Sequence, residues 1–261
     1  MLQISHISKT FNPGTVNEKK ALNGIDLHLS NGDFVTILGS NGAGKSTLFG
    51  AIAGSFVVDE GTIRLDGQNI TNLPDFKHSK FIGRLFQDPL KGTAPNMTIE
   101  ENMALAYLRA SHSRSPFSSI TKRDREGFRE KLSMLDLGLE DRMNHPVGLL
   151  SGGQRQALTL LMATLVTPKL LLLDEHTAAL DPATAEKVLA LTQKIVAENN
   201  ITCLMITHNV PSALRLGNRT IMMKDGRIVL ELQGQERANM TPEDLLKAFH
   251  VETDRILFSA E

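Results

Sequence analysis

The sequence predicts an α/β protein with a mixed, largely parallel sheet, and two observations predict this class. The apolar runs Phe34–Leu38 and Leu170–Leu173 have the composition of strands buried on both faces, and each ends in a polar turn. Helical patterns alternate with the strand patterns along the chain. With 261 residues, the chain can form one large domain or a domain with a subdomain.

The first buried strand leads into a stretch that fits the spacing G-x-x-x-x-G-K-[ST] and opens a predicted helix. Its residues are Gly39, Ser40, Asn41, Gly42, Ala43, Gly44, Lys45, Ser46 and Thr47. Glycines let this backbone approach a phosphate, and the helix adds the positive end of its dipole. Lys45 could reach the β- and γ-phosphates, and Ser46 could place its hydroxyl on Mg²⁺. The alternative is a plain glycine-rich turn, but the flanking strand and helix favour nucleotide binding.

The N-terminal region predicts an antiparallel β subdomain. Residues 2–9 and 22–29 alternate like half-buried strands, and the Asp66-Gly67 turn after Thr62–Leu65 predicts a short ribbon. Phe11 lies at the edge of the loop between the first two strands. Most single phenylalanines are core residues, but one ahead of a phosphate loop could stack on an adenine.

A further buried strand, Ile82–Phe86, ends at Gln87, and Pro89 stops it. Sheets of α/β proteins place ligand-contacting groups at the carboxyl ends of their strands. Gln87 is therefore a candidate contact, although a glutamine there could also be a simple loop residue.

Residues 90–166 predict a helical insertion between strands of the sheet. A capping box at Thr98 opens a helix through Arg109, and Thr121 can cap a second helix that runs to Leu137. The serine-rich stretch Ser111–Ser119 between them is predicted to be a polar linker.

The insertion ends in a serine and two glycines ahead of a predicted helix over Ala157–Val166; the residues are Leu150, Ser151, Gly152, Gly153 and Gln154. Free N–H groups and a hydroxyl at a helix start could bind an anion. An N-cap followed by a flexible turn fits the same spacing, so both interpretations stand.

Two carboxylates, Asp174 and Glu175, end the run Leu170–Leu173. Asp174 is placed to hold Mg²⁺, and Glu175 to polarise an attacking water. The alternative is a strand that simply leaves for solvent. Asp181 and Pro182 predict the start of a helix that runs to about Glu198.

The next predicted strand, Ile201–Ile206, ends at Thr207 and His208. His208 could reach a γ-phosphate, although a lone histidine is usually a surface or core residue. Asp225-Gly226 predicts a hairpin between Arg219–Met223 and Arg227–Leu232, and Thr241 opens a terminal helix.

Composition excludes several classes of protein. A net charge of −1 argues against a nucleic-acid partner bound through a broad basic surface. The single cysteine, Cys203, lies in an apolar run and is predicted to be buried and inert. We find neither a signal peptide nor a membrane-spanning stretch, which predicts a cytoplasmic chain.

Taken together, these residues resemble the nucleotide-binding subunit of ATP-binding cassette proteins over nearly the whole chain. Gly39–Thr47 matches the Walker A motif, Gln87 the Q-loop, Leu150–Gln154 the signature, Leu170–Glu175 the Walker B motif and His208 the switch histidine. The resemblance implies a P-loop NTPase core over about 1–89 and 167–230, a helical subdomain over about 90–166, and a C-terminal hairpin and helix over about 219–261.

The resemblance also implies a dimer of two copies of the chain, with ATP and Mg²⁺ between the Walker A motif of one chain and the signature of the other. Ser151, Gly152, Gly153 and Gln154 would then act across the interface. Gln87 would contact the metal and the reacting centre, and Phe11 would stack on adenine. His176 stands where many members carry proline, and a backbone or packing variant is expected there.

The loop that follows Leu173 is most similar to ATPases that work with branched-chain-type amino-acid permeases and a substrate-binding protein. This similarity implies an importer ATPase, held on the inner face of the cell membrane by a separate integral membrane permease. An exporter ATPase and a soluble cassette ATPase of the iron–sulphur cluster assembly type are the alternatives. The transported substrate cannot be read from this chain, because it contacts other chains.

Overall fold

The computed structural model describes residues 1–110 and 120–249, which divide into two compact units. The first unit joins Met1–His78 to the chain from Thr202 onward, and the second is Ser79–Ile201. The predicted linker Ser111–Ser119 and the end of the predicted C-terminal segment, 250–261, lie outside the described residues. The predicted division into a nucleotide-binding core and a helical subdomain stays a prediction.

Strands and helices alternate along the chain as the sequence predicts. The strands are β1 Leu2–Phe11, β2 Lys19–Leu29, β3 Phe34–Gly39, β4 Glu60–Leu65, β5 Gln68–Asn69, β6 Ile82–Leu85, β7 Leu170–Asp174, β8 Thr202–Ile206, β9 Arg219–Lys224 and β10 Arg227–Gln233. The helices are α1 Lys45–Ile52, α2 Asp75–His78, α3 Ile99–Ala110, α4 Lys122–Ser133, α5 Gly152–Thr164, α6 Pro182–Glu198, α7 Val210–Arg215 and α8 Gly234–Ala238, and residues 242–249 are also helical.

The first unit contains the predicted antiparallel β subdomain, a four-stranded sheet in the order β2-β1-β4-β5. Strand β1 pairs with both neighbours, and Ile4 lies opposite Leu27 on one side and Ile63 on the other. These three side chains are buried. The alternation of apolar and polar side chains along β1 therefore sets its register with both neighbouring strands, because a slip by one residue would expose the apolar face.

The remaining strands of the first unit lie in the order β10-β9-β3-β8. Strand β3 runs parallel to β8 and to β9, and the β9–β10 hairpin is antiparallel, so the arrangement is mixed. Val35 and Ile37 of β3 are fully buried. Ile37 pairs with Ile206, which places the carboxyl ends of β3 and β8 side by side.

The second unit contains the parallel pair β6 and β7, with Ile82 opposite Leu170 and Leu85 opposite Leu173. Helices α3, α4 and α5 surround a separate apolar core, formed by Ile99, Met103, Phe128, Leu132, Leu135, Leu139, Met143, Val147, Leu150, Ala157, Leu158 and Leu161. The predicted fold class, an α/β fold with an antiparallel N-terminal sheet and added helices, is confirmed.

Two predicted helix boundaries are wrong. Helix α4 ends at Ser133 and not at Leu137, because Asp136 adopts a φ of 54° and Gly138 a φ of 65°, which a helix cannot contain. Helix α5 begins at Gly152 and not at Ala157, because Ser151 caps it. The glycines lowered the helix propensity of this stretch, and the cap outweighs that cost.

Two expectations drawn from composition agree with the structure. No helix in the described ranges is long and apolar enough to cross a membrane. Cys203 is a buried free cysteine, and burial raises the pKa of its thiol well above the usual value. The thiolate, which is the reactive form, is therefore disfavoured.

Candidate functional site

The predicted phosphate loop connects β3 to α1 and requires glycine at two positions. Gly44 precedes α1 with a φ of 100°, and a Cβ there would lie 2.5 Å from the carbonyl oxygen of Ala21. A Cβ on Gly39 would overlap the carbonyl oxygen of Met223. The loop backbone thus approaches two other strands too closely for any side chain.

Lys45 places an ammonium group inside this loop. The residue is only 5% exposed, and its Nζ donates to the carbonyl oxygens of Gly39 (2.8 Å) and Ser40 (3.0 Å). Ser46 follows in the first turn of α1 and is exposed. A buried cation, an exposed hydroxyl and the amino end of a helix together provide the donors that a phosphate requires.

A second ammonium group lies near the tip of the loop. A Cβ on Gly42 would be 3.3 Å from the Nζ of Lys19, and Lys19 lies opposite Phe11 in the β1–β2 pair. The ring of Phe11 packs edge-on against Phe56 at 5.4 Å between centroids. Lys19 was not predicted from the sequence. The sequence signal that could have identified Lys19 is a basic residue across a hairpin from Phe11, the candidate adenine-stacking residue.

His208 lies in the same unit as the phosphate loop. It follows β8, and the N–H of Thr207 donates to the carbonyl oxygen of Ile37 in β3 (3.1 Å). Asn209 then caps α7, accepting from the N–H of Ser212 at 2.7 Å. The exposed His208 is therefore held between a strand and a capped helix, at the edge where the phosphate loop begins.

In the second unit, Gln87 follows β6, and Asp174 and Glu175 lie at the end of β7. Parallel pairing of Leu85 with Leu173 ends β6 and β7 at the same edge, so these polar residues leave neighbouring strands there. Gln87 is exposed, and the two carboxylates are partly exposed. The sequence predicted each position separately, and the strand register places the ends of β6 and β7 at one edge.

Glu175 has an unusual backbone conformation, with a φ of 46°. A non-glycine residue in the left-handed region costs of order 1–3 kcal/mol and persists only where its surroundings impose it. Its carbonyl oxygen accepts from the N–H of Ala178 at 2.9 Å, which closes a tight turn. The strained position coincides with the residue predicted to polarise the attacking water.

His176 anchors this turn to α6. Its side chain is 2% exposed, and its Nε2 lies 3.1 Å from the Oγ1 of Thr192. The Thr192 hydroxyl donates to the carbonyl oxygen of Val188 (2.8 Å), so it accepts from His176. Burial lowers the pKa of His176 to about 4, which keeps the ring neutral. The structure therefore agrees with the packing role expected of this residue.

The segment before α5 forms an ordered helix start. Ser151 and Gln154 make a capping box, in which each side chain accepts from the backbone N–H of the other. Arg155 donates to the carbonyl oxygens of Val147, Gly148 and Leu150, which fixes the approach to the cap. Ser151 is the N-cap, and a helix follows it where the alternative interpretation placed a flexible turn. Ser151 and Gly152 remain exposed.

The donor groups present fit Mg²⁺ bound together with a nucleotide. The described residues contain no cluster of three or more His, Cys, Asp or Glu side chains that could hold a metal ion. Mg²⁺ usually takes one or two carboxylates, with water and substrate phosphates completing its shell. Asp174 would supply one carboxylate ligand of this kind.

Comparisons with known proteins agree with this description. Residues 22–178 match the family model described as ABC transporter. A tyrosine transport ATP-binding protein of Clostridioides difficile (strain R20291) is 43% identical over 250 residues, which cover 95% of this chain and 98% of that protein. The methionine import ATP-binding protein MetN 2 of Enterococcus faecalis (strain ATCC 700802 / V583) is 35% identical, over 88% of this chain and 64% of that protein.

One further relative is named for a different role. The lipoprotein-releasing system ATP-binding protein LolD of Ruegeria sp. (strain TM1040) is 34% identical, over 87% of this chain and 97% of that protein. Among solved structures, the dimeric post-hydrolysis state of the ATP-binding cassette MJ0796 bound to ADP and Pi superposes with a TM-score of 0.77 at 30% identity. That match covers 89% of this chain and 98% of the MJ0796 chain.

Because His176 is buried with a neutral ring, the free energy of unfolding should depend on pH. Its folded pKa of about 4 lies below the ordinary value, so the unfolded chain takes up this proton first as pH falls from about 6.5. The free energy of unfolding should then drop by about 3 kcal/mol between pH 6.5 and pH 4 through His176 alone. His176→Asn should show a shallower fall, measured by urea unfolding at several pH values.

Thr192→Ser is the matched control for that experiment. It keeps both the histidine and a hydroxyl partner, so it should retain the slope of the unsubstituted protein. Parallel pH profiles for the unsubstituted protein and His176→Asn would contradict a neutral, buried His176.

Proposed function

The chain belongs to the ATP-binding cassette transporter family, as its ATP-hydrolysing subunit, and from this premise we propose that it energises import of an amino acid through a separate permease. The carrying observation is the relative named for tyrosine transport, which is 43% identical and matches over nearly the full length of both chains. The methionine import relative supports the same class of cargo. The residues of the turn that follows Leu173 also resemble those of importer ATPases of this type.

In the proposed mechanism, the first unit holds the nucleotide. The ring of Phe11 stacks on the adenine, and the N–H groups of Gly39–Thr47 surround the phosphates. The buried Lys45 ammonium provides a fixed positive charge for the β- and γ-phosphates. His208 faces the γ-phosphate from the end of β8, where Thr207 and Asn209 fix its position.

The second unit handles the water and the metal. Glu175 orients the attacking water and draws its proton, which suits a carboxylate held by a strained turn. Asp174 and Ser46 would hold Mg²⁺, and Gln87 would contact it at the end of β6. When bound, Mg²⁺ supplies positive charge to the phosphate oxygens as charge develops on them.

The functional form in this proposal is a homodimer with two composite sites. Ser151, Gly152, Gly153 and Gln154 of one copy complete the phosphate site of the other. Three observations support this. Ser151 and Gly152 are exposed at a capped helix start, and the similar cassette MJ0796 has been solved as a dimer. One sequence also carries both halves of the site unimpaired.

An integral membrane permease is the proposed partner, which would place the chain on the inner face of the cell membrane. Its docking surface is the segment Asp88–Met103, which begins next to Gln87 and continues into α3. Leu90 in this segment is 45% exposed, as suits a surface that meets another protein. A substrate-binding protein would deliver the amino acid to the permease.

Export is the second candidate function, and the lipoprotein-releasing relative favours it. Both directions use the same ATP chemistry, so the cargo assay distinguishes them.

In cells that lack this chain, uptake of labelled tyrosine should fall at least about tenfold, because an importer without ATP hydrolysis cannot accumulate its substrate. Complementation with Lys45→Ala should not restore uptake. Unchanged uptake of tyrosine and other amino acids would contradict the import proposal.

Glu175→Gln should separate binding from catalysis. Glutamine keeps the size of the side chain but cannot accept the proton, so turnover should fall by about 10²–10⁴-fold. Affinity for ATP should stay within about threefold, because phosphate and metal contacts remain. Steady-state phosphate release and equilibrium ATP binding measure these effects, and gel filtration with ATP should show a stable dimer. Turnover within about tenfold of normal would refute the role of Glu175.

Crosslinking tests the docking surface. Cysteines introduced at Asn96 and at Thr98 should form crosslinks to the co-purified permease through a short bifunctional reagent. The native Cys203 is buried and provides little background. Arg227→Cys, on the exposed C-terminal hairpin, is the matched control. Crosslinks from the hairpin position alone would refute docking at Asp88–Met103.

A further inference from the structure

The turn that carries Glu175 needs support from outside itself, because its backbone is strained. Glu175 adopts a φ of 46°, in the left-handed region that a residue with a side chain disfavours. The N–H of Ala178 donates to the carbonyl oxygen of Glu175 at 2.9 Å, which closes the turn. A strained backbone keeps such a conformation only where other contacts impose it.

The next residue, His176, connects this turn to α6. Its ring is buried, and its Nε2 lies 3.1 Å from the Oγ1 of Thr192. The Thr192 hydroxyl has one proton, which it donates to the carbonyl oxygen of Val188 at 2.8 Å. The hydroxyl therefore accepts from the histidine, and this bond requires a proton on Nε2 of the ring.

Helix α6 is a rigid support for this acceptor. Thr192 is 1% exposed, and Val188, Leu189 and Val196 are also buried. These four positions share one face of the helix, because residues three and four apart are neighbours there. Asp181 caps the start of the helix with its side chain. The hydroxyl that holds His176 thus comes from a packed and capped helix and not from a loop.

We propose that His176 and Thr192 are positioning residues for the carboxylate of Glu175. The hydrogen bond between them holds the turn in the conformation that directs this carboxylate to the attacking water. The inference rests on the role of Glu175 proposed above, and it adds two buried residues that act on the reaction through Glu175.

The order of the residues explains why the contact matters for catalysis. His176 directly follows Glu175, so a shift of its ring moves the backbone from which the carboxylate projects. A general base acts only within hydrogen-bond reach of the proton that it takes. Loss of the contact should therefore lower kcat. The KM for ATP should change little, because the phosphate loop lies in the other unit and keeps its contacts.

A double-mutant cycle in the full chain separates positioning from stability. Thr192→Val leaves the Nε2–H of His176 buried without an acceptor, so it should lower the urea midpoint of unfolding. Addition of His176→Leu removes that orphaned donor and should recover most of the loss. By contrast, kcat from steady-state phosphate release should fall about 5–10-fold in Thr192→Val and stay low in the double variant, because the hydrogen bond is absent from both.

The cycle has three results that would overturn the proposal. The first is recovery of kcat together with stability in the double variant, which would mean that turnover only follows stability. The second is a pair of single-variant losses in kcat that multiply in the double variant, because one hydrogen bond can be lost only once. The third is a kcat within about twofold of normal in Thr192→Val.

Two further variants control the cycle. Thr192→Ser keeps a hydroxyl and should retain kcat within about twofold. Thr159→Val is the matched control, because Thr159 is also buried in a helix and its hydroxyl donates to the carbonyl oxygen of Gln156 in the same helix at 2.8 Å. It should leave kcat within about twofold. A fall as large as that of Thr192→Val would mean that loss of any buried hydroxyl slows turnover, and would overturn the proposal.

Hydrogen exchange at the Ala178 amide reports the turn without any nucleotide. This N–H is protected by its bond to Glu175 only while the turn is closed. Its exchange should be about 5–10-fold faster in Thr192→Val and unchanged in Thr159→Val. Equal protection in the unsubstituted protein and Thr192→Val would overturn support of the turn by this contact.

The Glu175→Gln variant distinguishes this inference from the proposed function. Slow turnover in Glu175→Gln with normal turnover in Thr192→Val would leave the role of Glu175 intact and overturn the inference alone. Normal turnover in Glu175→Gln would overturn the proposed role of Glu175 itself, whatever the exchange at Ala178 shows.

Discussion

Complete burial of the parallel strands decides where chemistry can occur in this protein. Leu170, Leu171, Leu172 and Leu173 are fully buried along β7, as are Val35 and Ile37 of β3. A charged group inside such a strand would lose its hydration without compensation. Polar groups therefore collect where the strands end, and parallel pairing aligns those ends. Register alone then places the ends of β6 and β7 at one edge, and the end of β8, which His208 follows, beside the strand that leads into the phosphate loop.

Backbone conformations that side chains disfavour occur next to these strand ends. Gly39 and Gly44 pass so close to neighbouring carbonyl groups that no side chain fits, and Glu175 adopts a left-handed conformation that its side chain disfavours. Such positions persist only when neighbouring contacts fix them. The turn at Glu175 is fixed on two sides, by the N–H of Ala178 and by the hydrogen bond from His176 to α6.

Local signals in the sequence predicted the elements of this fold well. The run before Asp174 and the Asp181-Pro182 start of α6 depend on neighbouring residues alone, and the structure agrees with both. The start of α5 was misplaced because two glycines suppress helix propensity, whereas the capping box at Ser151 stabilises a helix there. Propensity and capping opposed each other, and sequence spacing does not show which is larger.

The residues that the sequence analysis missed depend on pairing between distant segments. Lys19 approaches Gly42 only because β1 and β2 pair, which places it opposite Phe11. Arg84 shares a face with Asp174 only because β6 runs beside β7 in one particular register. A shift of one residue would turn Arg84 to the other face.

The net charge of the chain does not indicate where charged side chains of one sign cluster. The chain as a whole carries −1, yet one groove is lined by three cations without a carboxylate, and one of those cations interacts with an acidic residue at the end of the next strand. Interactions between charges weaken with distance and with solvent, so a few desolvated side chains outweigh many exposed ones. A strand can hold a buried charge at a fixed distance from the adjacent strand. The residues that follow the strand along the chain then lie at the surface.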